Sequence, residues 1–252
     1  MNRRLTVLTA TVAAAVALTG CTHGADAGRP VKNSAGITPV GTDSAGPAAA
    51  ALERLAVKGR APKTGYARSQ FGIAWTDDNG AMWGHNSLST REDILSRDLS
   101  DISCKPRSAP RPPCVVQTGV LHDPYTATEI NFVRGEKTSP LVPIDHVVSL
   151  GDAWQKGAQQ LSPAERINLA NDPLNLIATT QAPNSAKRDG DSATWLPANK
   201  AFRCTYVARQ IAVKLRYRLW VTTAEKAAIA GVLSKCPGQT LPSDTEVAAR
   251  AA

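Results

Sequence analysis

The chain has 252 residues, 42% hydrophobic and 20% charged, and its 29 Lys and Arg against 21 Asp and Glu give a formal charge of +8. That length allows one domain or at most two, and the hydrophobic share is enough for a sizeable core, so a wholly disordered chain and a polytopic membrane protein are both excluded. No heptad, triplet or period of about 20 to 50 residues recurs, which rules out coiled-coil, collagen-like and tandem-repeat architectures.

The chain begins with Arg3 and Arg4, an apolar run over 5–17 and then Leu18-Thr19-Gly20-Cys21. The run is too short to span a bilayer comfortably as a permanent helix. A basic start, an apolar run and a small-small-Cys junction make an export signal that resembles the lipobox of bacterial lipoproteins. Residues 1–20 are therefore expected to be a signal peptide, with Cys21 lipidated and holding the exported chain to the outside of the cell membrane. An ordinary secretory signal with an incidental cysteine is the alternative. Loss of Arg3 and Arg4 leaves the remainder basic. Residues 21–60 are rich in small and polar types and read as a flexible tether with room for a short helix over 48–58. The folded domain is placed at 61–238. After Cys236-Pro237-Gly238 the chain turns polar and alanine-rich, and 239–252 is expected to be a disordered tail.

Within the domain, Ser89 or Thr90 can cap a helix over 91–99. Residues 128–133 carry β-branched and aromatic groups at strand spacing and end at the turn Arg134-Gly135. A second short strand is expected over 141–148. Ser162-Pro163-Ala164-Glu165 combines an N-cap, a first-turn proline and a capping-box glutamate, which starts a helix. Another short apolar run covers 173–177. This mixture argues for an α+β fold. In an exported chain the four remaining cysteines are candidates for disulfides rather than zinc. Cys104 and Cys114 bracket a proline-rich loop. Cys204 and Cys236 lie at equal distances from a turn near position 220, where Thr222 and Glu225 have capping-box spacing. They face each other if 198–219 and 223–235 form an antiparallel helical hairpin. Other pairings stay open at this point.

Candidate chemistry lies between positions 134 and 191. Asp145-His146 closes an apolar strand, Asn175 follows in Asp172-Pro173-Leu174-Asn175-Leu176, and Asn184 precedes Lys187 by one helical turn. A carboxylate and an amide carbonyl suit a hard divalent cation. An imidazole can take a proton from water without being a ligand, and a lysine one turn on can reach a phosphate. Singly, each has a plain structural reading as a turn or cap residue. The pair His122-Asp123 shows how easily such a combination arises.

Taken together, Ile144-Asp145-His146-Val147-Val148, Ala153-Trp154-Gln155-Lys156-Gly157-Ala158, Asn171-Asp172-Pro173-Leu174-Asn175-Leu176, Asn184-Ser185-Ala186-Lys187 and Thr194-Trp195-Leu196-Pro197 closely resemble the HNH nucleases. The closer likeness is to the C-terminal HNH domain of GmrSD-like modification-dependent restriction enzymes, also found in many exported bacterial proteins. The resemblance runs over roughly 66–237. It implies a ββα-metal core with additional helices, including a C-terminal helical hairpin. It also implies His146 as general base, Asp145 and Asn184 as ligands of one divalent ion, and Asn175 as the brace that orients His146. Lys187 would offset phosphoryl charge. Hard oxygen ligands favour Mg²⁺ or Mn²⁺ over zinc. The expected function is a metal-dependent endonuclease acting outside the cytoplasm, on DNA in preference to RNA. No protein partner and no base-reading motif is identifiable. The alternative is a non-catalytic envelope lipoprotein that uses an HNH-like scaffold to bind anionic polymers. Lys200, Arg203, Arg209, Lys214, Arg216 and Arg218, on the long C-terminal helix, read either as a phosphate-facing surface or as a solvated face. Arg91, Arg134, Asp189 and Asp191 read as solvated charges or as weaker site candidates.

Overall fold

The computed structural model describes residues 47–105 and 113–249, all within one compact unit. The leader, Cys21 and the first part of the expected tether lie outside the described residues. The folded chain starts earlier than position 61. Helix α1 (Ala48–Glu53) buries Ala48, Ala51 and Leu52, Ala48 N donates to Gln239 O at 2.8 Å, and Val57 bridges Val221. Residues 47–60 are thus part of the domain rather than tether, because their apolar groups have a partner that a local reading cannot see.

Helix α2 (Thr90–Asp98) starts after Ser89 and runs directly into β1 (Leu99–Cys104). Strand β1 pairs antiparallel with β2 (Val116–His122), which pairs with β3 (Glu129–Val133), giving the order β1-β2-β3. A disulfide joins Cys104 to Cys114 between the first two strands. Strand β4 (Ile144–His146) is shorter than the run 141–148, because 139–141 form a 3₁₀ turn and Pro143 separates it from the strand.

After β4 the chain makes α3 (Leu150–Gln155) and α4 (Pro163–Asn171) before returning. The capping box at α4 is complete: Glu165 N donates to Ser162 Oγ at 3.2 Å, and Ser162 N donates to Glu165 Oε2 at 2.8 Å. The return strand β5 (Leu176–Ala178) lies antiparallel to β4, with Asp145 opposite Ile177 and His146 opposite Leu176. Helix α5 (Gln181–Lys187) follows at once, so two paired strands and a helix enclose the excursion through α3 and α4.

Helices α6 (Arg203–Arg216) and α7 (Thr223–Leu233) form the C-terminal pair, capped at the turn by Thr222 and joined by a Cys204–Cys236 disulfide. The expected disordered tail is instead ordered as far as 249. Helix α8 (Asp244–Ala248) starts from a Ser243–Glu246 capping box, and Leu241 and Val247 are buried. Two apolar side chains in a polar stretch suffice to dock it.

Among the described residues the core has three apolar clusters, and the segment bearing β4 feeds each of them. Ile144 belongs to the cluster with α2 and the three-stranded sheet, Val147 to the cluster with α1, α6 and α7, and Val148 and Leu150 to the cluster with α3 and α4. Burying such side chains is worth about 1.5–3 kcal/mol each. Asp145 and His146 therefore sit on a backbone held from three sides.

Candidate active site

His146 ends β4 with its ring buried. Nε2 lies 3.0 Å from Ala170 O. A carbonyl only accepts, so Nε2 carries the proton and Nδ1 is left with a lone pair. The ring stacks on Trp75, with centroids 5.4 Å apart and planes 13° from parallel. Burial pushes the imidazole pKa down to about 3, helped by the positive charges of Arg68 and Lys187 and opposed by the Ala170 carbonyl. The ring is neutral throughout the physiological range.

Asp145 is also buried and already engaged. Tyr125 Oη donates to Oδ2 at 2.7 Å, and Lys187 Nζ lies 3.1 Å from Oδ1 and 2.9 Å from Oδ2. Burial, and after it the Asp145 charge, raise the Tyr125 phenol well above its ordinary range, so it stays a donor. The same Lys187 ammonium donates to His146 O at 2.5 Å and to Ser149 Oγ at 3.0 Å. This corrects the phosphate-facing role expected for Lys187. Its side chain is fully buried and its three N–H groups are taken, so it braces the strand instead of meeting substrate.

Asn175, fully buried, joins the strand to α4. Its Oδ1 accepts from Val148 N at 2.8 Å, and its Nδ2 donates to Val148 O at 3.3 Å and Leu169 O at 3.2 Å. Its main-chain oxygen accepts from Val147 N at 2.7 Å. Asn175 does not touch the imidazole. It fixes the chain just after His146 to the residue before Ala170, the imidazole's acceptor.

Asn184 stands one turn before Lys187 on α5, half-buried, and its side chain has no hydrogen-bond partner among the described residues. Asp145 and Asn184 offer donor types that suit a hard cation, a carboxylate and an uncommitted amide oxygen, but the carboxylate is already shared by the Lys187 ammonium and the Tyr125 hydroxyl. Among the described residues no group of three or more His, Cys, Asp or Glu could hold a metal ion. A pair of protein oxygens suits Mg²⁺, which keeps several waters and completes its shell with substrate phosphate.

The basic residues of the C-terminal helix are mostly spoken for. Arg209 donates to the carbonyls of Pro173, Leu174 and Leu176, Lys214 pairs with Asp152 and Glu225, Arg216 with Asp172, and Arg218 with Glu165. Arg203 donates to Pro197 O. These contacts remove the continuous phosphate-facing surface. Arg91 holds the carbonyls of Ser139 and Val142, and Arg134 holds Glu92. Asp189 pairs with Lys63, and Asp191 with Arg60 and Lys156.

Residues 68–75 were not foreseen at the site. Arg68, Phe71, Gly72, Ile73, Ala74 and Trp75 line a cleft beside His146, Leu150 and Ala170 that offers about 20 Å³ to water-sized occupants. The aromatic density from Tyr66 to Trp83 is the sequence signal that marks this stretch as more than a linker.

Residues 89–232 match the family described as GmrSD restriction endonucleases, C-terminal domain. A protein of Arthroderma benhamiae described as an uncharacterized secreted protein is 33% identical over 201 residues, covering 79% of this chain and 89% of that protein. No solved structure matches.

Proposed function

Because the chain belongs to the GmrSD restriction endonuclease C-terminal domain family, we propose that it is an exported endonuclease with His146 as its general base. The observation that carries this reading is the imidazole itself: neutral, fixed by Ala170 O through Nε2, without a partner for Nδ1 among the described residues, and lining a small cleft. Nδ1 takes a proton from water as the oxygen attacks phosphorus in line, the bond to the 3′ oxygen breaks, and solvent protonates that oxygen. The products carry 5′-phosphates and 3′-hydroxyls. Asn175 and Lys187 hold the strand that aims the base. Asp145 and Asn184 would hold a divalent ion, Mg²⁺ or Mn²⁺, which would supply Lewis-acid stabilisation of the phosphate charge. The substrate is DNA in preference to RNA.

The test is cleavage of plasmid and labelled oligonucleotides with Mg²⁺ or Mn²⁺, against an EDTA control, for the wild type and His146→Ala. Cleavage is expected only with metal and an intact His146. Activity that survives EDTA, or that His146→Ala keeps in full, overturns the mechanism. One observation favours the alternative of a non-catalytic module that binds anionic polymers: the Asp145 carboxylate already carries the Lys187 ammonium. Failure of every DNA and RNA form to be cut decides for it.

The relative's description as secreted supports export. The Leu18-Thr19-Gly20-Cys21 junction supports lipid attachment to the membrane at Cys21. Wild-type protein is expected in the detergent phase after Triton X-114 partitioning and Cys21→Ala in the aqueous phase; unchanged partitioning removes the lipid anchor.

A further inference from the structure

The cleft beside His146 is closed on one side by residues that precede the family-matched span, and their placement is strongly specified. Gly72 has φ 81°, and a Cβ there would lie 2.7 Å from Ile167 Cγ1, so glycine alone lets the segment rest on α4. Arg166 Nε donates to Gln70 O at 2.9 Å, and Phe71 is buried edge-on to Trp154 at 6.2 Å. Trp75 sits in the left-handed region at φ 59°, a strained conformation for a bulky residue. Thr90 holds it there. Thr90 N donates to Trp75 O at 3.2 Å, and Thr90 Oγ1 lies 3.1 Å from Thr76 O and 2.9 Å from Asn171 Oδ1.

On this braced wall Arg68 stands exposed, and its guanidinium has no ion-pair or hydrogen-bond partner among the described residues. Arg91, Arg97, Arg134 and Arg209 are in the opposite state, each held by carbonyls or carboxylates. Arg68 and His146 line the same cleft. A phosphodiester lying across the mouth of this small cleft would meet Arg68, whose unpaired planar fork of donors suits its two free oxygens. Resting on the nuclease reading above, we propose that Arg68 anchors the scissile phosphodiester at the mouth of the His146 cleft, so that residues outside the family-matched span complete the substrate site.

The experiment compares full-length wild type, Arg68→Ala and Arg68→Lys in binding a fluorescent oligonucleotide in EDTA over a range of salt, and in steady-state cleavage. Losing a charge-assisted contact is expected to weaken binding and raise KM about 10- to 100-fold in Arg68→Ala. The slope of log affinity against log salt falls by about one. Arg68→Lys keeps the slope but recovers only part of the affinity, since an ammonium cannot make the paired contact. Arg68 is exposed, so these variants retain the fold. Wild-type binding and KM in Arg68→Ala would overturn the proposal. If the wild type binds through Arg68 yet cuts no nucleic acid, the nuclease reading fails and the anchor stands.

Discussion

Two polar regions of this molecule, one buried and one open to a cleft, end in opposite states. Around Lys156, the cations Lys156, Lys214 and Arg60 face the anions Asp152, Asp191 and Glu225. Lys156 Nζ lies 2.7 Å from Asp152, 2.7 Å from Asp191 and 2.5 Å from Glu225, while Arg60 reaches Asp152 at 2.9 Å and Asp191 at 2.6 Å. Lys214 lies 3.0 Å from Glu225 Oε1, an ion pair without an aligned hydrogen bond. Each charge there has an opposite neighbour. Around His146, the imidazole Nδ1 and the Arg68 guanidinium have no partner among the described residues, and Trp75 is held in a strained backbone. The first region spends its electrostatics on joining α3, α6, α7 and the N-terminal segment. The second keeps donors and acceptors in reserve, which is what a site for an outside group requires.

The largest expected effect breaks the open region. His146→Ala should lower turnover by about 10²- to 10⁴-fold, the usual worth of a general base. Lys156→Met breaks the closed region instead. It leaves three buried acids short of a cation and is expected to cost about 3–5 kcal/mol in urea unfolding, while oligonucleotide affinity of the folded protein is unaffected. Lost affinity with unchanged stability would mean that the two regions are not separate in function.

A smaller effect concerns Asp93 on α2, which belongs to neither region and lines a cavity of about 190 Å³ with Trp83 and Arg97. Burial pushes its carboxyl up to about 7 from an ordinary 3.8, with Asp77 and Glu92 adding to the rise and the Asn86 hydrogen bond opposing it. The unfolded chain therefore ionises first, and stability falls as pH rises from 3.8 to about 7. Asp93→Asn is expected to be more stable than wild type by about 1–3 kcal/mol at pH 8, with the gain vanishing near pH 4. An equal difference at both pH values would show that the carboxyl is not the cause.

Sequence legibility followed the range of the contacts. The α4 capping box and the Thr222 cap are local, and both stood in the sequence as they stand in the structure. Strand β1 was hidden because Leu99-Ser100-Asp101-Ile102 continues from a helix with no glycine or proline to mark the change. Of the site, Asp145-His146, Asn175 and Asn184 were readable as candidates from ordered blocks, and they fall on β4, the turn into β5 and α5. The inward aim of Lys187 was not readable, since one helical turn after Asn184 says nothing about which side of α5 meets β4. Arg68 and Trp75 were missed for a related reason: their relation to His146 spans three elements and exists only once Gly72 lies against Ile167.

The bridge between Pro47 and Thr240, with Ala48 N bonded to Gln239 O, brings the beginning of the folded unit beside the segment that leads into its last helix. In topological terms the domain is nearly a ring. A short link across this junction, with new ends opened elsewhere, would keep every interior contact, so the unit should accept circular permutation. Tension applied through the two natural ends would fall first on docked α8 and this seam and only afterwards on the β4–β5 hairpin, leaving His146 mechanically sheltered from whatever holds the chain.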